Sequence, residues 1–261
     1  SKQPFFDKTK NSILAFNGEI YNFKYLRKIL AKEINFKSNS DTEVLFWGLK
    51  MHGTKFIEEI EGMFAFVYYD KNLNKLILCR DRFGEKPLYF TENEKGIFFS
   101  SDLKSLINYS KIDINVSKDN FIHYLANGYY PQQITPFENI SKVQSGTYIE
   151  IHNKKLKNIK YHSFNSEKPR TNILLKNIDK ELKRYINQSF TSDVPISISL
   201  SAGLDSTIIA SIANKNQIRL NCFSIGYENK KGLDEREEAR KFALSKNLKF
   251  KEIEIEENLD I

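Results

Sequence analysis

The sequence predicts two folds in series: an α+β region of antiparallel strands over residues 1–162, then an α/β, doubly wound parallel-sheet domain over residues 173–261. Three observations carry that expectation. Strand-like runs crowd residues 62–99, joined by connections such as Asp70-Lys71-Asn72-Leu73-Asn74 and Glu92-Asn93-Glu94-Lys95, short enough for antiparallel hairpins. Residues 163–172 are polar, contain Pro169 and suit a linker. Beyond them strands and helices alternate, the rhythm of a parallel sheet whose ligands bind past its carboxyl ends.

Taken in order, Ile13-Leu14-Ala15-Phe16-Asn17-Gly18 reads as a strand ending in a turn. Asn22 is placed to cap the next helix, whose apolar stripe is Leu26, Ile29 and Leu30. Ser40 and Glu43 form a capping box for a second helix with Val44, Leu45 and Leu49 facing inward. Strands follow at 62–69, 75–80, 88–90 and 96–99, and Asp102 suits a helix cap. A helix near 119–127 and a hairpin of 146–151 with 157–162 close the first region. In the second, a helix over 173–190 carries Leu174, Ile178, Leu182 and Ile186 at helical spacing. Strand 196–200, helix 206–215, strand 220–225, helix 234–247 and strand 250–255 come next, the first strand reading as buried.

Composition narrows the function classes. Hydrophobic content of 40%, with 13% aromatic residues, supports real cores. The net charge of +7 comes from lysines interleaved with acids, which favours a solvated surface over a nucleic-acid interface. No apolar run approaches the ~20 residues that cross a bilayer, and no signal peptide opens the sequence, so a cytoplasmic protein is expected. Cys79 and Cys222 sit in apolar runs and read as inert core thiols. His52, His123, His152 and His162 show no ligand spacing.

Two stretches carry chemistry. Ser201-Ala202-Gly203-Leu204-Asp205-Ser206 follows an apolar strand and opens a helix, where unpaired N–H groups and the helix dipole favour an anion. Ser201 and Ser206 add hydroxyls, and Asp205 suits a Mg²⁺ that phosphates also bind. The Gly-Lys-Ser/Thr ending of a Walker A loop is absent. In Phe16-Asn17-Gly18-Glu19, a side-chain amide beside a glycine N–H offers two donors to one oxygen, the construction of an oxyanion hole; an Asn-Gly turn is the plainer alternative. Asp41 fits either a first-turn acid or a carboxylate for an amino group. Arg80, Asp81, Arg82 and Lys86 read as a charged network fixing a strand end and the Gly84 turn, and Asp234-Glu235, an acidic pair just after a strand end, is a secondary candidate.

Arranged in one order, Asn17–Asn22, Ser40–Glu43, Gly62–Phe66, Arg80–Tyr89 and Ser201–Ser206 closely resemble the glutamine-hydrolysing asparagine synthetase family, from residue 3 to about residue 255. The loop itself resembles the PP-loop Ser-Gly-Gly-x-Asp-Ser of ATP pyrophosphatases, with Ala202 in place of the first glycine. If that position needs φ > 0, the alanine strains the loop by roughly 1–2 kcal/mol.

The resemblance implies an incomplete class II glutaminase domain, an α+β antiparallel sheet sandwich of N-terminal-nucleophile type, followed by a truncated α/β doubly wound PP-loop ATP pyrophosphatase domain. It makes Asn17 and Gly18 the oxyanion hole, and Glu19 and Asp41 the holders of glutamine's α-amino end. Leu200 and Ile225 would meet ATP through backbone and apolar surface. Ser201, Gly203, Asp205 and Ser206 would hold pyrophosphate, with Asp205 on Mg²⁺. The implied partners are glutamine, aspartate and ATP, without nucleic acid or membrane; a homodimer is left open. Aspartate would be adenylated, and ammonia travelling inside the protein would displace AMP to give asparagine. The family's N-terminal cysteine nucleophile and its carboxylate-clamping arginine precede the Asn-Gly motif, so an internal fragment without glutaminase activity is expected. The rivals are an amide ligase with another acceptor, such as an envelope sugar or a cyclising amide, and a non-catalytic glutamine- or nucleotide-binding module.

Overall fold

A computed structural model describes residues 2–131, 133–153, 155–163, 175–191, 194–227 and 234–255. Most of the expected linker, 164–172, and Ile173 and Leu174 of the expected helix lie outside the described residues. The chain divides into two compact units, Ser1–Glu167 and Lys168–Ile261.

The first unit opens with β1 (Phe5–Phe6) and β2 (Ser12–Ile20). Two helices follow, α1 (Phe23–Leu30) and α2 (Asp41–His52), then a 3-10 helix, Gly53–Glu59. Strands β3 (Gly62–Asp70), β4 (Lys75–Arg80), β5 (Tyr89–Asn93) and β6 (Gly96–Ser100) come next. Helices α3 (Leu103–Ser110) and α4 (Lys118–Asn127) precede β7 (Ser141–Lys142), β8 (Thr147–His152) and β9 (Lys155–Lys160). A six-stranded antiparallel sheet runs β1-β2-β3-β4-β8-β9, and a three-stranded one runs β6-β5-β7.

The alternation of side chains explains the layering. On β3, Phe64, Phe66 and Tyr68 join Leu14, Ile20 and the inner faces of α1 and α2 in one core. Ala65 and Val67, on the opposite face, pack with Leu78, Leu88 and Ile149 in another, under the smaller sheet. A strand buried on both faces reads as a continuous apolar run, which is what residues 63–68 are.

Three local expectations change. The first strand does not end in a turn at Asn17-Gly18: β2 runs on to Ile20, paired with β3 throughout. Asn22 stands at the N-cap of α1, but its side chain makes no cap bond. Its carboxamide instead donates to Glu59 O (2.8 Å) and accepts from Glu61 N (3.1 Å), fastening the 3-10 helix to the start of β3. Ser40 caps α2 by accepting from Glu43 N (3.4 Å), yet the box is half made. The buried Glu43 carboxylate turns to Ser38, taking its N–H (2.7 Å) and hydroxyl (2.6 Å), and to Lys37 N (3.0 Å), because a buried carboxylate left without donors would be costly. Asp102 caps α3 as expected, accepting from Ser105 N at 2.7 Å.

The second unit contains α5 (Leu175–Ser189), β10 (Ile196–Ser199), α6 (Leu204–Lys215), β11 (Leu220–Tyr227), α7 (Arg236–Ser245) and β12 (Lys249–Ile255). Its strands are parallel in the order β10-β11-β12. The reversal of strand order that makes a sheet doubly wound is not among the described strands. Burial also differs from expectation: β10 and β11 alternate, with Ile198, Cys222 and Leu220 in a core with Leu200, Ala210 and Ala239, while Ser197, Ser199 and Ile225 face away. Among the described residues no helix is long and apolar enough to cross a membrane.

Candidate functional sites

The first site is an edge of β2. In an antiparallel pair, alternate residues turn both N–H and C=O away from the partner strand. Phe16 N donates to Gln3 Oε1 (3.2 Å) and Ile20 N to Asp41 Oδ2 (3.1 Å), so these residues face away from β3. Gly18 lies between them in the same alternation. Its partner Phe64 likewise directs its N–H and C=O away from β2, to Asp81. The Gly18 N–H therefore opens at the strand edge, where no acceptor among the described residues meets it.

Only glycine fits there. Gly18 has φ +144°, and a Cβ would stand 2.1 Å from Met63 O and 2.7 Å from Phe64 Cα. Asn17 points to the face shared with Ala65, where it lines a cavity of about 250 Å³ with Gln3, Ala15, Leu88 and Phe99. Asp41 reaches the same edge from the first turn of α2; its other oxygen accepts from Thr42 N at 2.7 Å. Glu19 follows Gly18 directly. The structure thus gathers Asn17, Gly18, Glu19 and Asp41 around one end of β2.

Sequence reasoning missed two members of this site. Gln3 fills the edge position beside Gly18, and only the pairing of β2 could have shown it. Tyr21, half-buried, has its phenol pushed up to about 12 by burial and by the nearby charges of Glu85, Glu19 and Asp81.

The turn is held by backbone groups. Arg80 donates to the carbonyls of Lys86 (2.8 Å), Val143 (3.0 Å) and Gly84. Asp81, fully buried, accepts from Phe83, Gly84 and Glu85 N on one oxygen and from Phe64 and Lys86 N on the other. Arg82 donates to Glu58 O at 3.0 Å. The expected charged network is therefore a clamp of ionised side chains on main-chain groups. Cys79 and Cys222 are buried free thiols, both pushed up by burial. Cys79 is not placed to attack a group at Gly18: it pairs with Phe66 and points into the core under α2.

The second site is the loop between β10 and α6. Ser201 and Ser206 hydroxyls lie 3.2 Å apart, and Ser206 Oγ accepts from Ser201 N (3.3 Å). Gly203 N donates to Ser201 Oγ at 3.4 Å. The helix starts two residues earlier than expected, at Leu204, and its N-cap residue Gly203 has no side chain to cap it, so first-turn donors are left open. Ala202 adopts φ +57°, the strained conformation the missing glycine would have taken without cost. Asp205 is exposed in the first turn of α6. Leu200 narrows its expected role: its side chain is fully buried, leaving backbone alone to meet a ligand. Ser199 pairs with Phe223, which sets Ile225, half-exposed, level with Ser201.

Asp234, the secondary candidate, holds Arg236 through a two-pronged pair, Oδ1–Nε 2.9 Å and Oδ2–Nη2 2.8 Å; Glu254 lies 3.3 Å from Nη1. The Arg236 Nε occupies the space a Cβ on Gly226 would need, 2.1 Å away. Arg236 was not anticipated, although a glycine ending a strand signals such a close approach.

A model of the glutamine amidotransferase domain matches residues 1–162, and a model of asparagine synthase matches residues 177–259. The chain belongs to the glutamine amidotransferase domain family. Asparagine synthetase [glutamine-hydrolyzing] 1 of Bacillus subtilis is 33% identical over 219 residues, covering 82% of this chain and 34% of the relative. Asparagine synthetase [glutamine-hydrolyzing] 2 of the same organism is 31% identical over 231 residues, covering 83% and 31%. Amidase chyE of Penicillium rubens is 27% identical over 267 residues, covering 92% and 38%. With both models matching in this order, the chain is a member of the glutamine-hydrolysing asparagine synthetase family. It spans about a third of the length of the curated relatives it matches.

Proposed function

We propose that this chain carries two working parts of a glutamine-dependent amide ligase, one receiving the nitrogen donor and one gripping ATP, and that the acceptor is aspartate. The observation that carries the first part is the Gly18 N–H, open at a strand edge between two neighbours whose N–H groups are satisfied. A donor fixed in a sheet costs no reorganisation when negative charge develops on an amide oxygen, and Asn17 supplies a second donor beside it. Glu19 and Asp41 hold the substrate's ammonium end; Asp41 already accepts two main-chain bonds, and a carboxylate has capacity for more.

In the second part, the first-turn donors of α6 and the Ser201 and Ser206 hydroxyls hold pyrophosphate. The exposed Asp205 carboxylate fits a Mg²⁺ that arrives with phosphate, since such ions take one or two carboxylates plus phosphate and water oxygens. When bound, that ion neutralises charge on the phosphates. Backbone of Leu200 and the side chain of Ile225 border the nucleotide. Attack of aspartate's side-chain carboxylate on the α-phosphorus forms aspartyl-AMP and releases pyrophosphate; ammonia then displaces AMP. Aspartate is favoured over other acceptors by the synthetase relatives, while the amidase relative shows that the architecture accompanies other names.

Titration of ¹⁵N-labelled protein tests both parts. L-Glutamine is expected to shift the Gly18 amide resonance and MgATP those of 201–206, with Asp205→Asn weakening MgATP binding at least about ten-fold. Absence of both shifts overturns the reading. Pyrophosphate release from ATP and ammonium that does not depend on aspartate overturns the acceptor alone.

A further inference from the structure

The structure assigns Asp81 a role in positioning the Gly18 donor, an inference that rests on the reading of Gly18 given above. Asp81 lies outside the glutamine pocket proper and touches none of the residues proposed to contact substrate. It is tied instead to the strand on which Gly18 leans. Asp81 N donates to Phe64 O (2.8 Å), and Asp81 Oδ2 accepts from Phe64 N (3.2 Å). This reciprocal pair takes up both main-chain groups that Phe64 turns away from β2.

Phe64 is the residue opposite Gly18, and its Cα lies 2.7 Å from where a Gly18 Cβ would be. A pair of this kind has no hydrogen bond between its own two residues, so the depth and tilt of Gly18 are set by contact with β3. Whatever fixes Phe64 from behind therefore fixes the direction of the Gly18 N–H in front.

Asp81 is well made for that task. It is 0% exposed, and its carboxylate accepts five main-chain N–H bonds, four of them from the turn at residues 83–86. Bonds to an ionised acceptor are the strong ones, and five of them leave the carboxylate little freedom. Arg80, beside it, ties the same turn to Val143 on the far side. The Arg80–Lys86 turn thus acts as a fixed post, and Asp81 joins it to the strand behind the donor.

The test is Asp81→Asn, which keeps shape but turns one acceptor into a donor facing N–H groups. The Gly18 amide is expected to have an order parameter of about 0.85 in the parent protein and to fall toward 0.6 in the variant. Where the protein turns glutamine over, kcat falls about 10–100-fold while KM stays within about three-fold. A folded variant whose Gly18 keeps the parent order parameter overturns the inference. Should Asp81→Asn fail to fold, Gly84→Ala loosens the same turn more gently, since Gly84 has φ +71° and a Cβ there would lie 2.9 Å from Arg80 Cζ. It is expected to move Gly18 in the same direction, and an unchanged Gly18 counts against Asp81 equally. If glutamine leaves Gly18 unperturbed in the parent, the functional reading falls, yet the free-protein order parameters still decide whether Asp81 positions that donor.

Discussion

The two sites use backbone N–H groups for similar ends but obtain them differently. At Gly18 the donor is exposed by sheet pairing, and glycine is required because a neighbouring strand occupies the space of a side chain. At 201–206 the donors come free at a helix start, and a positive φ is borne by Ala202 in a loop with room for its methyl group. A glycine demanded by collision is irreplaceable; one demanded by dihedral preference alone is negotiable. That contrast predicts which substitutions each site tolerates.

The largest effect is expected at Gly18. Gly18→Ala must both adopt φ +144° and push Met63 O away from 2.1 Å, so strain and overpacking add. A loss of roughly 2–6 kcal/mol in stability, measured by urea unfolding, is expected. A loss under 1 kcal/mol would mean that β2 and β3 part easily, and the rigid edge on which the site depends would not exist.

This difference bears on what could be read from residues alone. Asn17-Gly18 looked like a turn because that dipeptide usually is one; only pairing with a strand more than forty residues away places it mid-strand. Ser201–Ser206 was legible because strand, small-residue loop and helix are contiguous, and the strain at Ala202 followed from its place in the motif. Cys79 and Asp102 were legible for the same local reasons. Gln3 and Tyr21 were not, since what each meets is brought near only by the fold; the fixing of the Gly84 turn by Asp81 was legible, but its bonds to Phe64 were not. The half-made capping box shows the same limit, with the Glu43 carboxylate held by Lys37 and Ser38 while the Ser40 N–H donates to the Ser38 hydroxyl.

An intermediate effect concerns alkaline pH and involves Tyr21 of the first site. Burial, with Glu85, Glu19 and Asp81 nearby, holds the Tyr21 phenol up to about 12, against an ordinary 10.0. The unfolded chain therefore loses this proton first. Stability owed to Tyr21 is intact below pH 10 and declines as pH rises through 12. Burial raises Tyr68 and Tyr161 as well, so part of the decline belongs to them. Urea midpoints followed upward from pH 9 are expected to fall less steeply in Tyr21→Phe than in the parent. Equal slopes would show that burial and the nearby charges do not raise the Tyr21 phenol above its ordinary value.

The smallest effect is expected where the contrast is sharpest. Ala202→Gly removes a left-handed alanine, relieving about 1–2 kcal/mol. Against this, glycine adds freedom to the unfolded chain, costing about 0.4–1 kcal/mol. The lost methyl group, part-buried against the core that holds Leu200 and Ala210, costs up to about 0.8 kcal/mol more. These terms nearly cancel, so the variant should match the parent to within about 1 kcal/mol by urea unfolding. A gain above 2 kcal/mol would show strain concentrated at Ala202 well beyond its dihedral, and the loop would then resemble Gly18, with its geometry imposed by surroundings.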